Sequence, residues 1–183
     1  MDLTAITRSA INRFDRWADA PLDHLRGNAV ADRVFYTASE AANFSLLWHA
    51  LAWLPVAVAP SPRRVVRAAS TSAALAAESA LVNGPVKTVF RRERPVLDTG
   101  TRRPHHLRTP RTTSFPSGHA TATMVAVLML GRGRGPVVRL GLSALGAVVA
   151  SSRVYVRIHH PSDVLGGLVI GYGLGRLLRR LLP

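Results

Sequence analysis

A chain of 183 residues is long enough for one compact domain, and its lack of cysteine excludes both a disulfide framework and a thiolate metal site. Hydrophobic residues make up 48% of it, and a formal charge of +14 points to an anionic partner, either lipid headgroups or nucleic acid. Of the 24 basic residues only Lys87 is not Arg. Such a bias suggests a GC-rich bacterial coding sequence, and it makes the one compact, mobile ammonium a candidate for a specific contact.

Residues 3–18 place Leu3, Ile6, Ala10, Phe14 and Trp17 at helical spacing among Arg8, Arg13, Asp15, Arg16 and Asp19. No charged segment precedes a long apolar run, so the stretch does not read as a signal peptide. Residues 1–20 are expected to form an amphipathic helix, lying in a membrane interface or packed as an ordinary surface helix. Residues 21–33, with Pro, Gly, Asn and several charges, read as a connector. The first candidate span is 34–59, with Pro55 as a kink, and the second, after the basic turn at Pro60 to Arg64, is 65–90.

A polar loop over 91–116 follows, rich in Arg and Pro and carrying the adjacent His105 and His106. Three further candidate spans run over 117–131, 136–152 and 161–182. They are short, since fifteen helical residues cover only ~22 Å of a hydrocarbon core roughly 30 Å thick, and snorkelling Arg side chains or local thinning would be needed. A soluble bundle with buried helices is the other reading. Several such stretches in so small a chain, and Gly167, Gly171 and Gly175 recurring every four residues as a close-packing ridge, favour the membrane. The expected fold class is therefore all-α: an integral-membrane helical bundle of five transmembrane helices plus the amphipathic amino-terminal helix.

Arg63, Arg64, Arg67, Arg132, Arg134, Arg139, Arg176, Arg179 and Arg180 fall on one side of such a bundle. Lys87, the Arg residues of 91–116 and Arg153 fall on the other, so counting positive charges gives a draw. If many charges of the second set are engaged in holding a ligand, the first side is the cytoplasmic one. With five spans, the amino terminus then lies outside.

Three polar clusters meet on that second side, each at a helix end. Lys87 lies in the last turn of a span and Arg94 just beyond it, before Pro95. Pro116-Ser117-Gly118-His119 opens a helix, with Ser117 an expected N-cap, Gly118 permitting close backbone approach, and free amides suited to phosphate. Arg153 closes the fourth span. His159 and Asp163 open the fifth, with Pro161 in its first turn. A carboxylate one turn from His159 can fix its tautomer and leave the other nitrogen as a nucleophile, while His119 could protonate a leaving oxygen. Lys87, Arg94 and Arg153 would neutralise phosphoryl oxygens. His119, His159 and Asp163 could alternatively ligate a metal, but the cationic neighbourhood would repel a divalent ion.

Lys87 with Arg94-Pro95, then Pro116-Ser117-Gly118-His119, then Ser152-Arg153 with His159 and Asp163, together resemble the three-part signature of the type-2 phosphatidic acid phosphatase superfamily. The resemblance implies a metal-independent, cofactor-free lipid phosphatase of helical architecture. In it His159 would become a phosphohistidine, His119 would be the general acid and Asp163 would orient His159. Lys87, Arg94, Ser117, Gly118 and Arg153 would bind the phosphate. The site would face the extracytoplasmic side of a multi-pass cell-membrane protein. Five spans depart from the six usual in that family, which leaves the amino-terminal topology as the point of difference.

The expected partners are a lipid phosphate substrate and the membrane, with no nucleic acid. The substrate class covers phosphatidic acid, phosphatidylglycerol phosphate, polyprenyl phosphates and diphosphates, and polyprenyl-linked sugar phosphates. The alternatives are a phosphotransferase using the same histidine, a vanadate-dependent haloperoxidase, and a non-enzymatic binder of anionic lipid. His160, His105, His106 and Glu78 receive no role, although an intramembrane Glu is usually paired or functional.

Overall fold

The computed structural model describes residues 3–95 and 112–183, and every regular element among them is helical. The helices are α1 (Leu3–Asp23), α2 (Ala29–Ala41), α3 (Leu46–Val58), α4 (Pro62–Leu81), the short α5 (Lys87–Val89), α6 (Gly118–Leu130), α7 (Pro136–Tyr155) and α8 (Pro161–Leu181). Their starts follow local chemistry. Asn28 accepts from the Val30 and Ala31 amides, and Ser61 accepts from the Arg64 amide. Pro62, Pro136 and Pro161 each occupy a first helical turn, where a missing N–H costs nothing.

The first apolar stretch is not one straight helix. It divides into α2 and α3, which are bent by 66° at a 3-10 turn over Asn43–Ser45. Phe44 and Ser45 there adopt φ of 52° and 58°, a left-handed conformation costly for residues other than Gly. The connector is also shorter than expected, because α1 runs through Pro21 and α2 starts at Ala29. Between α4 and α5 the chain passes through a π-helical turn, Val82–Val86, containing Gly84 and Pro85.

α3, α4 with α5, α6, α7 and α8 run between two ends of the bundle. At one end Arg67 donates to the Arg132 carbonyl, and Arg132 donates to the Leu182 carbonyl at 2.7 Å. That end gathers the basic turns around Arg64, Arg134 and Arg179. By length and composition the combined α4–α5 helix (Pro62–Val89) and α7 can each cross a membrane, and the bent α2–α3 pair makes a third candidate.

Side-chain size is distributed as lipid requires. Ala68, Ala74, Ala120, Ala122, Ala126 and Ala150 are buried, whereas Leu54, Val58, Val138, Leu140, Val169 and Leu177 are exposed on the outer faces of α3, α7 and α8. Small residues inside let helices pack by close approach, and a surface of large aliphatic side chains suits hydrocarbon rather than water. The glycine ridge of α8 packs on α6. A Cβ at Gly167 would meet the Ser117 carbonyl oxygen at 2.6 Å, and one at Gly171 the Thr121 carbonyl oxygen at 2.5 Å. No side chain fits at either position, so these two helices touch backbone to backbone.

α1 lies at the other end of the bundle, with Asp15 and Asp19 turned inward and Asp23 at the rim. Asp15 pairs with Arg92, Asp19 with Arg26, and Asp23 with Arg26 and Arg157. Trp17, 74% exposed, and Ile6 point away from the protein. A surface helix packed on the domain would bury its apolar stripe instead, so this orientation suits a helix resting in an interface.

Candidate active site

The three polar clusters converge at the end of the bundle that carries α1. α7 closes with Arg157 in a left-handed conformation, φ 55°, and both the Ile158 and His159 amides donate to the Arg153 carbonyl, at 3.1 and 3.0 Å. This turn delivers His159 just ahead of α8. Its outer wall is fixed by Arg26, which donates to the Val154 and Tyr155 carbonyls at 3.0 and 2.9 Å. The Ser117 amide donates to the Asp163 carbonyl at 3.1 Å, joining the starts of α6 and α8 beside the glycine contacts.

His159 is buried and faces a cavity of about 940 Å³ that is also lined by Lys87, Arg94, Gly118, His119 and Arg153. Arg94 donates to His159 Nε2 at 3.3 Å. A guanidinium only donates, so Nε2 is the acceptor and the ring proton belongs on Nδ1. Burial lowers the His159 pKa to about 4, which keeps the imidazole neutral near pH 7. An unprotonated Nε2, accepting from Arg94, therefore looks into a cationic chamber.

The cations are held by neutral oxygens. Arg94 donates to the Ile158 and Thr113 carbonyls at 2.9 and 3.2 Å, Lys87 to Thr112 Oγ1 at 3.3 Å, and Arg153 to Ser39 Oγ. Among the described residues none of the three forms an ion pair with a carboxylate, and Arg153 Nε is buried without a hydrogen-bond partner. Burying this charge unneutralised is costly unless a ligand anion completes it. His119, in the first turn of α6, has Nε2 at 3.2 Å from Asn43 Oδ1, the residue that begins the strained turn.

Two expectations need correction in detail. Ser117 occupies the N-cap position but its side chain makes no capping hydrogen bond, and its Oγ is buried without a partner among the described residues. Asp163 does not hydrogen-bond His159, since Oδ2 lies 3.6 Å from Nδ1. Its oxygens are already engaged. Oδ1 accepts from Arg92 at 2.6 Å, and Oδ2 accepts from Ser114 Oγ and from the His160 amide, the latter at 2.9 Å.

The sequence pattern singles out neither Arg92 nor Asp15, yet both stand behind the site. Arg92 bridges Asp163 to Asp15, at 2.5 Å from the latter, and donates to Ser162 Oγ at 2.7 Å. Asp15 Oδ1 accepts from the Ser162 amide at 2.8 Å. The only signal in the chain is an acid at helical spacing with Asp19 and Asp23, indistinguishable from a solvated stripe. Glu78, by contrast, does reach the site: it lines the same cavity. His160 lies outside the cavity, and His105 and His106, with most of the 91–116 loop, lie outside the described residues.

A family model described as the PAP2 superfamily matches residues 67–183. Decaprenylphosphoryl-5-phosphoribose phosphatase of Mycobacterium tuberculosis is 34% identical over 134 residues, 72% of this chain and 69% of that protein. Undecaprenyl-diphosphatase BcrC of Bacillus subtilis is 39% identical over 70 residues, 37% of this chain and 34% of that protein. The crystal structure of Aquifex aeolicus LpxE matches with a TM-score of 0.63 at 22% identity, over 89% of this chain and 93% of that one. At that identity the likeness is one of fold.

Proposed function

The chain belongs to the PAP2 superfamily, and from that premise we propose that it hydrolyses a lipid-borne phosphate or diphosphate through a phosphohistidine at His159. That it is a lipid-phosphate hydrolase of the membrane follows from the family and the relatives; the residue roles, the substrate and the sidedness are our reading. The observation that carries the mechanism is His159 Nε2, unprotonated and facing a cavity shared with Lys87, Arg94, His119 and Arg153.

In the first step Nε2 attacks phosphorus and the bond to the leaving oxygen breaks, with His119 supplying that oxygen's proton. Lys87, Arg94, Arg153 and the helix-start amides of Gly118 and His119 hold the three peripheral oxygens, whose charge spreads as the bonds exchange. Imidazolium character on His159 is stabilised by the Asp163 carboxylate beyond Nδ1. In the second step water attacks the phosphohistidine, gives its proton to His119 and releases inorganic phosphate, restoring the neutral His159.

The basic turns at the far end of the bundle suit the cytoplasmic side, which puts the cavity and α1 on the extracytoplasmic side, with five crossings. Candidate substrates are phosphatidic acid, phosphatidylglycerol phosphate, polyprenyl phosphates or diphosphates, and a polyprenyl-linked sugar phosphate of the kind named for the mycobacterial relative. The test is phosphate release by detergent-purified protein across this panel, with His159→Ala as blank. Release by wild type with no added acceptor supports hydrolysis over phosphotransfer. Equal release by the blank would refute the nucleophile.

A further inference from the structure

The cavity continues well past the residues that would hold a phosphate, and its lining changes in order. Along α4 and the π turn the positions facing it are Lys87, Asn83, Ser79 with Glu78, and Leu75, each about one helical turn below the last. A cation gives way to an amide, then to a hydroxyl and a carboxylate, then to an aliphatic side chain. The opposite wall follows the same order, with His119 and Asn43 above and Ala122 below.

Glu78 is the unexplained member. It is 2% exposed, and its Oε1 is buried without a hydrogen-bond partner among the described residues. Lys87, two turns on, donates to Thr112, and Asn83 donates to Ser79. A buried carboxyl oxygen without a partner is expensive, and a ligand reaching it through the cavity would complete it.

Resting on the phosphatase reading above, we propose that Glu78, with Asn43, Ser79 and Asn83, forms a subsite for a hydroxyl-bearing spacer, a sugar or polyol, between the scissile phosphate and its lipid anchor. Three features support this occupant. The carboxyl, hydroxyl and amide groups of this layer exchange hydrogen bonds with hydroxyls but place no cation against a second phosphate directly joined to the first, so the layer suits a polyhydroxylated leaving group and disfavours a diphosphate. The layer begins beside His119 and its partner Asn43, where the leaving oxygen must emerge if His119 protonates it. The apolar level beyond it, Leu75 and Ala122, suits the start of a hydrocarbon chain.

The test compares kcat/KM of purified protein in detergent for three substrates: a long-chain alkyl glucoside 6-phosphate, whose sugar joins the scissile phosphate directly to a hydrocarbon chain, phosphatidic acid and a polyprenyl diphosphate. Wild type is expected to prefer the first. Glu78→Gln is expected to lower the preference for the sugar phosphate over phosphatidic acid by roughly 10-fold, mainly through KM, because an amide offers the hydroxyls a mismatched set of donors and acceptors. Asn83→Leu, at an exposed position on the same wall, is expected to lower the same ratio and serves if Glu78→Gln does not fold. No preference in wild type, or an equal loss on every substrate in the variants, overturns the subsite while leaving the phosphatase reading intact. Failure of wild type to release phosphate from any of the three lipids overturns the reading itself.

Discussion

Arg92 donates to Asp163 at 2.6 Å, and through its other terminal nitrogen it reaches Asp15 on α1 at 2.5 Å. The carboxylate behind His159 is therefore held from the amino-terminal helix, 148 positions away along the chain. Arg92 acts as a positioning residue, because it fixes Asp163 without entering the cavity. Arg92→Ala is expected to lower kcat roughly 10- to 100-fold with little change in KM. Arg92→Lys should recover only part of it, since an ammonium cannot span both carboxylates with a planar fork. Steady-state kinetics check this; a loss confined to KM would contradict the role.

Asp15→Asn tests the outer link of the same chain. It removes the charge that balances Arg92 while keeping an acceptor for the Ser162 amide. A smaller fall in kcat than for Arg92→Ala is expected. The double variant should fall no further than Arg92→Ala alone, because both changes act through one side chain. Additive losses would mean that Asp15 works by another route.

The buried, neutral state of His159 sets a pH dependence. Its pKa is lowered to about 4 by burial, so the proposed nucleophile is available from neutral pH down to that region and is lost as pH falls through it. The same group favours the folded state above the ordinary histidine range, and this contribution is lost progressively as pH falls from about 6.5 towards 4. After correction for the substrate's own ionisation, the acid limb of kcat/KM due to His159 should lie close to 4. A profile measured on wild type checks this, and an acid limb at the ordinary histidine value of about 6.5 would contradict it.

A chamber lined by Lys87, Arg94 and Arg153 favours an oxyanion and repels a divalent cation. Orthovanadate is expected to inhibit competitively by occupying the phosphoryl position. A chelator should leave activity unchanged. Restoration of a chelator-treated sample by a divalent metal would count against the cationic reading.

Gly167 and Gly171 admit no side chain against α6. Gly171→Val should separate α6 from α8, costing about 1–3 kcal/mol of stability as an overpacked contact does, and it should lower kcat because His119 and His159 stand on opposite sides of that contact. Thermal unfolding in detergent and phosphate release measure the two effects. Gly173→Ala, where an added Cβ meets nothing, should change neither.

Much of the site can be read from the chain because its parts are local. Pro116 to His119, Arg153, and His159 to Asp163 each lie within a turn or two of a helix end, and the prolines and caps that end those helices act over three or four residues. Spacing along the sequence is thus enough to group Lys87, Arg94, His119, Arg153 and His159. The glycine repeat likewise announces a close helix contact, although not its partner.

The all-helical class, the helix starts at Pro136 and Pro161, and the grouping of Lys87, Arg94, His119, Arg153 and His159 are legible in the chain, since each follows from local propensity, helix-end chemistry and apolar patterning, whereas α4 starts at Pro62, inside the expected basic turn. Tertiary structure alone decided that Asp15 and Asp19 of α1 turn inward, that Arg92 takes both oxygen-bearing neighbours Asp163 and Asp15, that the chain bends at Phe44 to set Asn43 against His119, and that Glu78 opens into the same cavity. The reason is physical. The Arg92–Asp163, Arg92–Asp15 and His119–Asn43 contacts join residues 71 to 77 positions apart, and the bend needs a left-handed backbone at Phe44 and Ser45, so their energies exist only once the helices have packed and carry no periodic trace in the chain.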